Sequence, residues 1–411
     1  MKCRHRLRCS HGMKRRGFLA TSLGGALGTG IMTTGARQEA EPSAATLLRT
    51  PVNLMAPRED GLVAVWAVSR LCRGWLEWRA AGGGGEAGKA AMTGAGFVPQ
   101  SDEIFRVDLA GLKPGKEYEV RAVVEAVDDE GRREESAWKK FRTLDAAAES
   151  TRFVVWNDTH EHNDTIGKLD DATPEADFFV WNGDTCNDWK TEEILIPTLL
   201  HPAGRDITKG RPMLLVPGNH DVRGKFGFRV PQMVGMTADR PFCAFRSGPV
   251  AVICLHTGED KPDDHPSFKG RVAFEELRKV QTAWLDKVIQ DDRFKDAPYR
   301  VVFCHIPLRW IDEPETVDYA GKGFDRYSKR SRDAWHDLLV EWKAQVIISG
   351  HTHNAQYLPA NEKFPYAQLV SGGPQLERAR WIEGVADGAA LKLTVRDLAG
   401  AVTHEAEFKP V

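Results

Sequence analysis

The chain has 411 residues, of which 42% are hydrophobic, and its formal net charge is −2 at pH 7. This length predicts two or three domains with real cores, and the balanced charge argues against a nucleic-acid polymer or a polybasic membrane anchor as a partner. No stretch approaches the roughly 20 consecutive apolar residues of a transmembrane helix.

The N-terminus has the pattern of an export signal rather than of a folded domain. Arg15 and Arg16 precede a weakly apolar, Gly-rich stretch from Phe18 to Met32, and small residues at 33–36 offer a cleavage site. We interpret residues 1–36 as a twin-arginine signal peptide, with a disordered basic tail as the alternative. An exported, periplasmic protein and the twin-arginine machinery as a partner are therefore expected.

Five cysteines follow this leader, and none of them has a C-x-x-C neighbour. Their odd number and their spacing exclude a cysteine-rich disulfide framework and a zinc site. Cys254 and Cys304 lie within apolar strand patterns and are predicted core residues. One disulfide after export is compatible with the sequence, which does not select a pair.

Residues 37–46 are small and polar and form a predicted linker. The segment 47–144 then has short strand patterns separated by turn residues, such as "GLVAVWAV", "GWLEWRA" and the alternating Tyr118, Val120 and Ala122. About a hundred residues of this kind predict an all-β sandwich. It contains no catalytic constellation.

From residue 151 to residue 411, apolar strand patterns alternate with amphipathic helical patterns. One predicted helix carries its apolar face on Phe274, Leu277, Gln281, Trp284, Leu285 and Val288. A second has a stripe of Trp335, Leu338, Leu339 and Trp342. This spacing predicts core packing for the tryptophans and an α/β domain that closes with a β-hairpin.

Five of these apolar strands run directly into side chains that can bind a metal. The strand "RFVVW" leads to Asp158 and His160, "DFFVW" to Asp184, "MLLVP" to Asn219, His220 and Asp221, "RVVFC" to His305, and "QVIIS" to His351 and His353. In an α/β protein ligands bind at the carboxyl ends of the strands. Any one strand end is weak evidence, but five in one chain predict a shared metal site rather than separate solvated loops.

The motifs Asp158-x-His160, Gly183-Asp184, Gly218-Asn219-His220-Asp221, His305 and Gly350-His351-x-His353 resemble those of the calcineurin-like metallophosphoesterase superfamily. The resemblance covers about residues 151–410. The preceding segment resembles the N-terminal fibronectin type III domain of purple acid phosphatases. Together they imply an α/β four-layer sandwich, two mixed sheets flanked by helices, preceded by an all-β fibronectin type III-like sandwich.

The resemblance also implies two metal ions and seven ligands. Asp158, His160 and His353 would bind the first ion, Asn219, His305 and His351 the second, and Asp184 would bridge them. This mixture of oxygen and imidazole donors suits Mn, Fe or Zn. Two such ions neutralise the phosphoryl oxygens and hold a hydroxide for attack on phosphorus.

Other side chains near these motifs have implied or weaker roles. His220 would stabilise the transition state or protonate the leaving oxygen, with Asp221 orienting its ring. His162 could face the site, and Arg223 and Arg309 could bind a phosphate, with solvent-exposed side chains as the alternative.

One departure from the purple acid phosphatases concerns the ligand turn. Their tyrosine ligand follows the Gly-Asp motif, whereas this chain has "GDTCNDW" from Gly183 to Trp189, without a tyrosine. A coloured tyrosine–iron site is therefore not expected. We predict a colourless or weakly coloured dinuclear centre.

The sequence thus predicts an exported phosphoesterase that hydrolyses small phosphomonoesters or phosphodiesters. Two alternatives stay open. One is a phosphodiesterase that acts on lipid headgroups or envelope polymers, and the other is an envelope-binding protein with a vestigial phosphoesterase domain. The presence of all seven ligand residues argues against the vestigial form.

Overall fold

Strands dominate the fold of this computed structural model, which describes residues 46–83, 86–90, 97–129, 131–313 and 325–411. The strands of these residues are β1 (Asn53–Arg58), β2 (Gly61–Ala67), β3 (Cys72–Ala80), β4 (Gly88–Ala90), β5 (Gln100–Ser101), β6 (Ile104–Leu109), β7 (Glu117–Ala126), β8 (Arg133–Glu135), β9 (Lys139–Arg142), β10 (Thr151–Trp156), β11 (Phe178–Trp181), β12 (Met213–Leu215), β13 (Cys243–Ser247), β14 (Val250–Cys254), β15 (Tyr299–Phe303), β16 (Val346–Ser349), β17 (Gln356–Leu358), β18 (Ala367–Val370), β19 (Arg380–Ala386), β20 (Leu391–Asp397) and β21 (Val402–Phe408). The α-helices of the same residues are α1 (Asn163–Ala172), α2 (Leu195–Leu199), α3 (Val230–Met233), α4 (Phe274–Val288), α5 (Asp292–Lys295) and α6 (Lys329–Glu341).

Two mixed sheets form the α/β part. The first has the order β21-β20-β19-β10-β11-β12-β1-β2-β6, with β10, β11 and β12 parallel and β19 antiparallel to β10. The second has the order β13-β14-β15-β16-β18-β17, with β14, β15, β16 and β18 parallel. Parallel neighbours place the carboxyl ends of their strands along one edge of each sheet.

A hydrophobic core lies between these two sheets. Phe153 stacks on Phe178 with ring centroids 5.2 Å apart, and Phe153 also meets the edge of Phe303 from the second sheet. Helix residues pack on the other face of each sheet, so the central strands are buried on both sides. Burial on both faces explains why these strands are continuous apolar runs rather than alternating ones.

The two predicted long helices are α4 and α6, and both pack on the second sheet. Trp335 is fully buried there, as the helical spacing predicts. The polar Gln281 also lies on the buried face of α4. Its side chain accepts from the backbone N–H of His256 and donates to the carbonyl of the same residue, both at 2.8 Å, and so joins α4 to the segment that follows β14.

The N-terminal region is all-β in its described residues, but it is not separate from the α/β part. β1 pairs in parallel with β12, so β1, β2 and β6 continue the first sheet. A third sheet, β4-β3-β7-β8 with β5 and β9, packs over these strands through a core that includes Trp66, Leu76 and Val120. The described residues from 46 to 411 accordingly belong to one compact unit. The likeness to a fibronectin type III domain stays a prediction.

Lys139 of β9 links the third sheet to a loop of the α/β part. Its ammonium group donates to the carbonyl of Val52 at 2.9 Å and to Thr208 Oγ1 at 2.6 Å, and it forms an ion pair with Asp206. Burial lowers the pKa of Lys139 to about 8 despite the attraction of Asp206. A charged group is therefore desolvated where these two parts meet.

The leader from residue 1 to residue 36 lies outside the described residues, so the export signal stays a prediction. Among the residues that the structure does describe, no helix has the length and apolar character needed to cross a membrane.

Candidate metal centre

Five loops of the two sheets converge at their carboxyl edges. These loops follow β10, β11, β12, β15 and β16, the five strands whose ends carry the predicted ligands. Ligand atoms of Asp158, His160 and His353 lie within 4.8 Å of one another, and those of Asp184, His305 and His351 form a second such group. We call these the first and the second cluster. Six of the seven predicted ligands are thus brought together from strands far apart in the chain.

The first cluster has closely spaced donors. His160 Nε2 lies 3.0 Å from His353 Nε2, and Asp158 Oδ1 lies 3.5 Å from the same atom of His353. Asp184 connects the two clusters, because its Oδ2 is 3.5 Å from His160 Nε2 and 3.1 Å from His305 Nε2. A carboxylate placed in this way could bridge two cations.

In the second cluster, the hydrogen bonds of the imidazoles leave their lone pairs pointing inward. His305 Nδ1 donates to the carbonyl of Asn182 at 2.7 Å, which leaves the buried Nε2 as the acceptor that faces Asp184. His351 Nε2 donates to the carbonyl of Asp325 at 2.7 Å, so its Nδ1 lone pair faces Asn219 Oδ1 at 2.9 Å. Such second partners commonly fix the tautomer of metal-binding histidines.

This donor set fits a metal centre on chemical grounds. Lone pairs that face one another at about 3 Å are stabilised by a cation between them, not by each other. Asp158 and Asp184 are also buried together, and buried negative charge requires compensation. The clusters mix hard carboxylate oxygens with imidazole nitrogens, a set that suits Mn, Fe or Zn.

The two imidazoles of the first cluster are in the protonation state that binds a metal ion at neutral pH. Desolvation lowers the pKa of His160 to about 3 and that of His353 to about 4, so both rings are neutral and can bind a cation. His305 behaves differently. Although burial opposes its charged form, Asp184 and Asp158 raise its pKa to about 10, which shows how strongly these carboxylates attract positive charge.

The loops have unusual backbone geometry at the candidate ligands. Positive φ angles are found at Asp158, His160, Asp184, His351 and His353. Such conformations cost about 1–3 kcal/mol each and persist where the surrounding structure imposes them. Gly218 is required here by close approach, since a Cβ on it would lie 2.3 Å from Asp184 Oδ1.

The predicted role of Asp221 in orienting the ring of His220 is not what the structure shows. The buried Asp221 carboxylate accepts from the backbone N–H groups of Asp184 at 2.8 Å, Thr185 at 3.0 Å and Gly218 at 2.7 Å, and from the Thr185 hydroxyl. It therefore ties the loop after β12 to the loop after β11. Its two oxygens accept from four donors, three of them backbone N–H groups, and these bonds take the place of a bond to the His220 ring.

Two other residues hold the His220 ring instead. Its Nδ1 donates to the carbonyl of Asn187, and its Nε2 lies 3.0 Å from Nη1 of Arg223. The His220 ring also lies edge-on to that of His160, with centroids 4.8 Å apart. A ligand atom of His220 also lies within 4.8 Å of those of His160 and Asp184, so His220 is at the border of the first cluster.

Arg223 is held by two acidic residues that sequence reasoning did not single out. Its Nε and Nη2 donate to Glu259, and Nη2 also donates to Asp260 at 2.7 Å. Only the Nη1 side faces His220. The adjacent acidic pair in "HTGEDKP" was the available signal, but the sequence alone does not connect it with residue 223.

The other two predicted substrate contacts have different surroundings. His162 is exposed at the start of α1. Arg309 is buried, and its guanidinium donates to the carbonyls of Pro359 and Tyr366 and lies over the ring of Phe364. These contacts give Arg309 a packing role rather than a site on the substrate.

The calcineurin-like phosphoesterase family model matches residues 151–355. This range contains all seven candidate ligands. The segment 151–355 is a calcineurin-like phosphoesterase domain. Domains of this family belong to metal-dependent phosphoesterases, which agrees with the two clusters.

Curated relatives of the phosphoesterase domain include the human serine/threonine-protein phosphatase CPPED1. It is 27% identical to this chain over 201 residues, which are 47% of this chain and 58% of the relative. The orangutan protein of the same name (Pongo abelii) is 26% identical over the same lengths. The chain therefore spans somewhat more than half of the relatives that it matches.

Solved structures show the same fold over a larger part of the chain. A purple acid phosphatase from yellow lupin (Lupinus luteus) seeds has a TM-score of 0.65 and 14% identity, over 87% of this chain and 74% of that one. The structure of PhoD has a TM-score of 0.60 and 12% identity, over 90% of both chains. At these identities the likeness is one of fold.

Proposed function

We propose that this chain is a dinuclear metal-dependent phosphoesterase. The observation that carries the proposal is the position of Asp184, whose Oδ2 lies between His160 of the first cluster and His305 of the second. A single shared carboxylate is the simplest way to hold two cations side by side. The family match over residues 151–355 supports the same activity.

In this proposal seven side chains hold two ions. Asp158, His160 and His353 bind one, Asn219, His305 and His351 bind the other, and Asp184 bridges them. Two ions of this kind polarise the phosphoryl oxygens and supply a nucleophile from water at neutral pH. Mn, Fe and Zn all suit these donors.

His220 is the proposed catalytic residue of the chain itself. It borders the first cluster and is fixed at both ring nitrogens. A substrate that displaces Arg223 from Nε2 would find an imidazole already oriented toward its oxygens. Asp221 supports this position indirectly, because it fixes the loop that carries His220.

The proposed substrate is a small phosphomonoester or phosphodiester. A second candidate class, phosphorylated proteins, is supported by the printed name of the relatives that match residues within the domain. A protein substrate would present the same phosphoester to the same side chains. The two classes therefore differ only in what surrounds the phosphate.

One assay separates these possibilities. The full chain is stripped with a chelator, reloaded with Mn, Fe or Zn, and tested on nitrophenyl phosphate, bis-nitrophenyl phosphate and a phosphoserine peptide. We expect two metal equivalents and turnover of at least one substrate. A protein that binds two equivalents and hydrolyses none of the three would contradict the enzymatic proposal.

We also propose that the chain is exported by the twin-arginine route. The support is the pair Arg15 and Arg16 before the weakly apolar stretch. Replacing both with Lys should leave the protein in the cytoplasm, because the planar guanidinium fork is not reproduced by an ammonium group. Continued arrival of the double variant in the periplasm would show that another signal directs it.

A further inference from the structure

Two cysteines lie directly opposite each other on neighbouring strands. β13 and β14 form an antiparallel pair in which Cys243 is the partner of Cys254. Opposite residues of an antiparallel pair have Cα atoms about 4.5–5.5 Å apart. A disulfide bond requires a Cα separation of about 4.4–6.8 Å, so this register permits one.

The side chains of the pair also point the same way. Both belong to the core between the two mixed sheets, where Cys243 is 8% and Cys254 2% exposed. A small cavity of about 10 Å³ is lined by both of them. The interaction between the two thiols lowers the pKa of Cys243 and raises that of Cys254.

The other cysteines of the described residues lie elsewhere. Cys72 is in the core of the N-terminal sandwich, and Cys186 packs on the outer face of the first sheet. Cys304 is close along the sheet to Cys254, but its side chain lies on the opposite face of the second sheet, with Sγ 3.5 Å from Ser349 Oγ. All five are thiols in the structure.

We propose that Cys243 and Cys254 form a disulfide bond by exchange with a small-molecule disulfide such as oxidised glutathione. Cys243 is the more exposed of the two and belongs to the edge strand of its sheet. Its thiolate therefore attacks the disulfide bond of oxidised glutathione. This step forms a mixed disulfide and releases one glutathione thiolate. Cys254 then attacks Sγ of Cys243 and releases the second. The protein loses two electrons and two protons, and the oxidised glutathione becomes two molecules of reduced glutathione.

The bond would fasten an edge strand close to the candidate metal centre. β14 leads through His256 into Glu259 and Asp260, the two acidic residues that hold Arg223. The cross-link would therefore stabilise the base of the segment on which the position of Arg223 depends. The inference itself does not depend on the proposed activity.

The test compares the full chain before and after incubation in oxidised glutathione. The protein is then denatured with an alkylating reagent, digested and analysed by mass spectrometry. We expect one linked peptide pair containing Cys243 and Cys254, a loss of two free thiols, and a higher melting temperature that dithiothreitol reverses. Cys243→Ser should abolish all three changes, whereas the matched control Cys72→Ser should retain them.

A second version of the experiment makes the buried thiols accessible, because burial slows their reaction with glutathione. The chain is unfolded in urea and refolded in a glutathione buffer, so that both thiols are accessible before the strands pair. A linked Cys243–Cys254 peptide in either arm supports the proposal. Its absence from both arms, or a link between any other two cysteines instead, would overturn it.

Discussion

Nε2 of His220 lies 3.0 Å from Nη1 of Arg223. Because the carbonyl of Asn187 can only accept, His220 donates from Nδ1 and offers its Nε2 lone pair to the guanidinium. The ring is therefore a neutral acceptor in this arrangement, held by one backbone group and one cation. Neither contact involves a metal ligand.

The first prediction follows from the absence of a metal ligand among these two partners of His220. His220→Ala should retain both metal ions, while kcat falls by ~10²–10⁴-fold, the usual range for a general acid or base. If the ring donates a proton, the loss should be large for alkyl phosphates and small for nitrophenyl phosphate, whose leaving group departs without help. An equal loss would indicate stabilisation of phosphoryl oxygens instead.

His336→Ala is a matched control for this variant. His336 bonds through Nδ1 to the hydroxyl of Tyr366 and belongs to neither cluster. Its replacement should leave turnover close to that of the unchanged protein. Loss of metal in His220→Ala would make that residue a ligand and contradict the assignment.

The second prediction concerns the carboxylate of Asp221. Asp221→Asn would turn an amide donor toward backbone N–H groups that now donate to the carboxylate. One buried donor left without an acceptor costs about 1–3 kcal/mol, so the free energy of unfolding should fall by at least that amount. Urea denaturation measures this change.

The same variant separates a structural role from a role in catalysis. If Asp221 only oriented the ring of His220, kcat would fall while stability and metal content stayed constant. We expect metal affinity to fall together with stability, because the carboxylate joins the loops of Asp184 and Asn219. Unchanged stability with reduced kcat would restore the ring-orienting role.

The third prediction tests the bridge between the clusters. Asp184→Asn removes a negative charge that faces His160 and His305, and the amide group cannot bridge two cations as a carboxylate does. We expect loss of bound metal, measured by elemental analysis, and loss of nearly all activity. Asp177→Asn, at the other end of β11, is the control that should retain both. Two metal equivalents and full turnover in Asp184→Asn would exclude a dinuclear centre built on this residue.

The fourth prediction is a pH dependence at Lys139. Burial lowers its pKa to about 8, whereas the unfolded chain has the ordinary value of 10.5. Between these values the unfolded state binds more protons, so this residue makes the protein more stable as the pH rises. The gain is about 1.4 kcal/mol per pH unit within that window.

Comparison with Lys139→Met isolates this contribution. The free energy of unfolding of the unchanged protein, minus that of the variant, should increase from pH 8 to pH 10. Other titrating groups contribute equally to both proteins and cancel. A difference that stays constant over this range would mean that Lys139 keeps its proton when folded.

The sequence was most informative where side chains that can bind a metal directly follow a strongly apolar strand. Strand ends rich in His, Asp and Asn predicted the side chains that the structure brings together in both clusters, because apolar runs such as Phe178–Trp181 mark where a strand stops. The partners of His220 were out of reach. One is a backbone carbonyl at Asn187, which any residue would provide, and the other is an arginine placed by acids 36 and 37 positions away.

Pairing between distant strands was also beyond sequence reasoning. A strand pattern in β1 shows which residues are buried but not which neighbour they pair with, so the continuation of the first sheet from β12 to β1 was not predicted. The register that brings Cys243 opposite Cys254 depends likewise on the hairpin as a whole. Local patterns contain neither kind of information.

The fifth prediction concerns the continuation of the first sheet from β12 to β1. A fragment that begins at Ala148 contains every candidate ligand, and its metal chemistry should survive if it folds. Removal of β1, however, leaves β12 as an unpaired edge and uncovers apolar residues such as Met213. We expect lower stability and self-association, measured by light scattering. A monomeric fragment as stable as the full chain would show that the pairing of β1 with β12 contributes little.

The pairing of Met55 with Met213 also sets an order of events during synthesis. β1 and β2 leave the ribosome long before β12, and between these moments β1 has no partner on its β12 side. Exposed edges of this kind are where nascent chains associate wrongly. The β12 side of β1 therefore stays uncovered from the appearance of residue 53 until residue 215 has emerged, and the later part of the chain completes the sheet that the earlier part began.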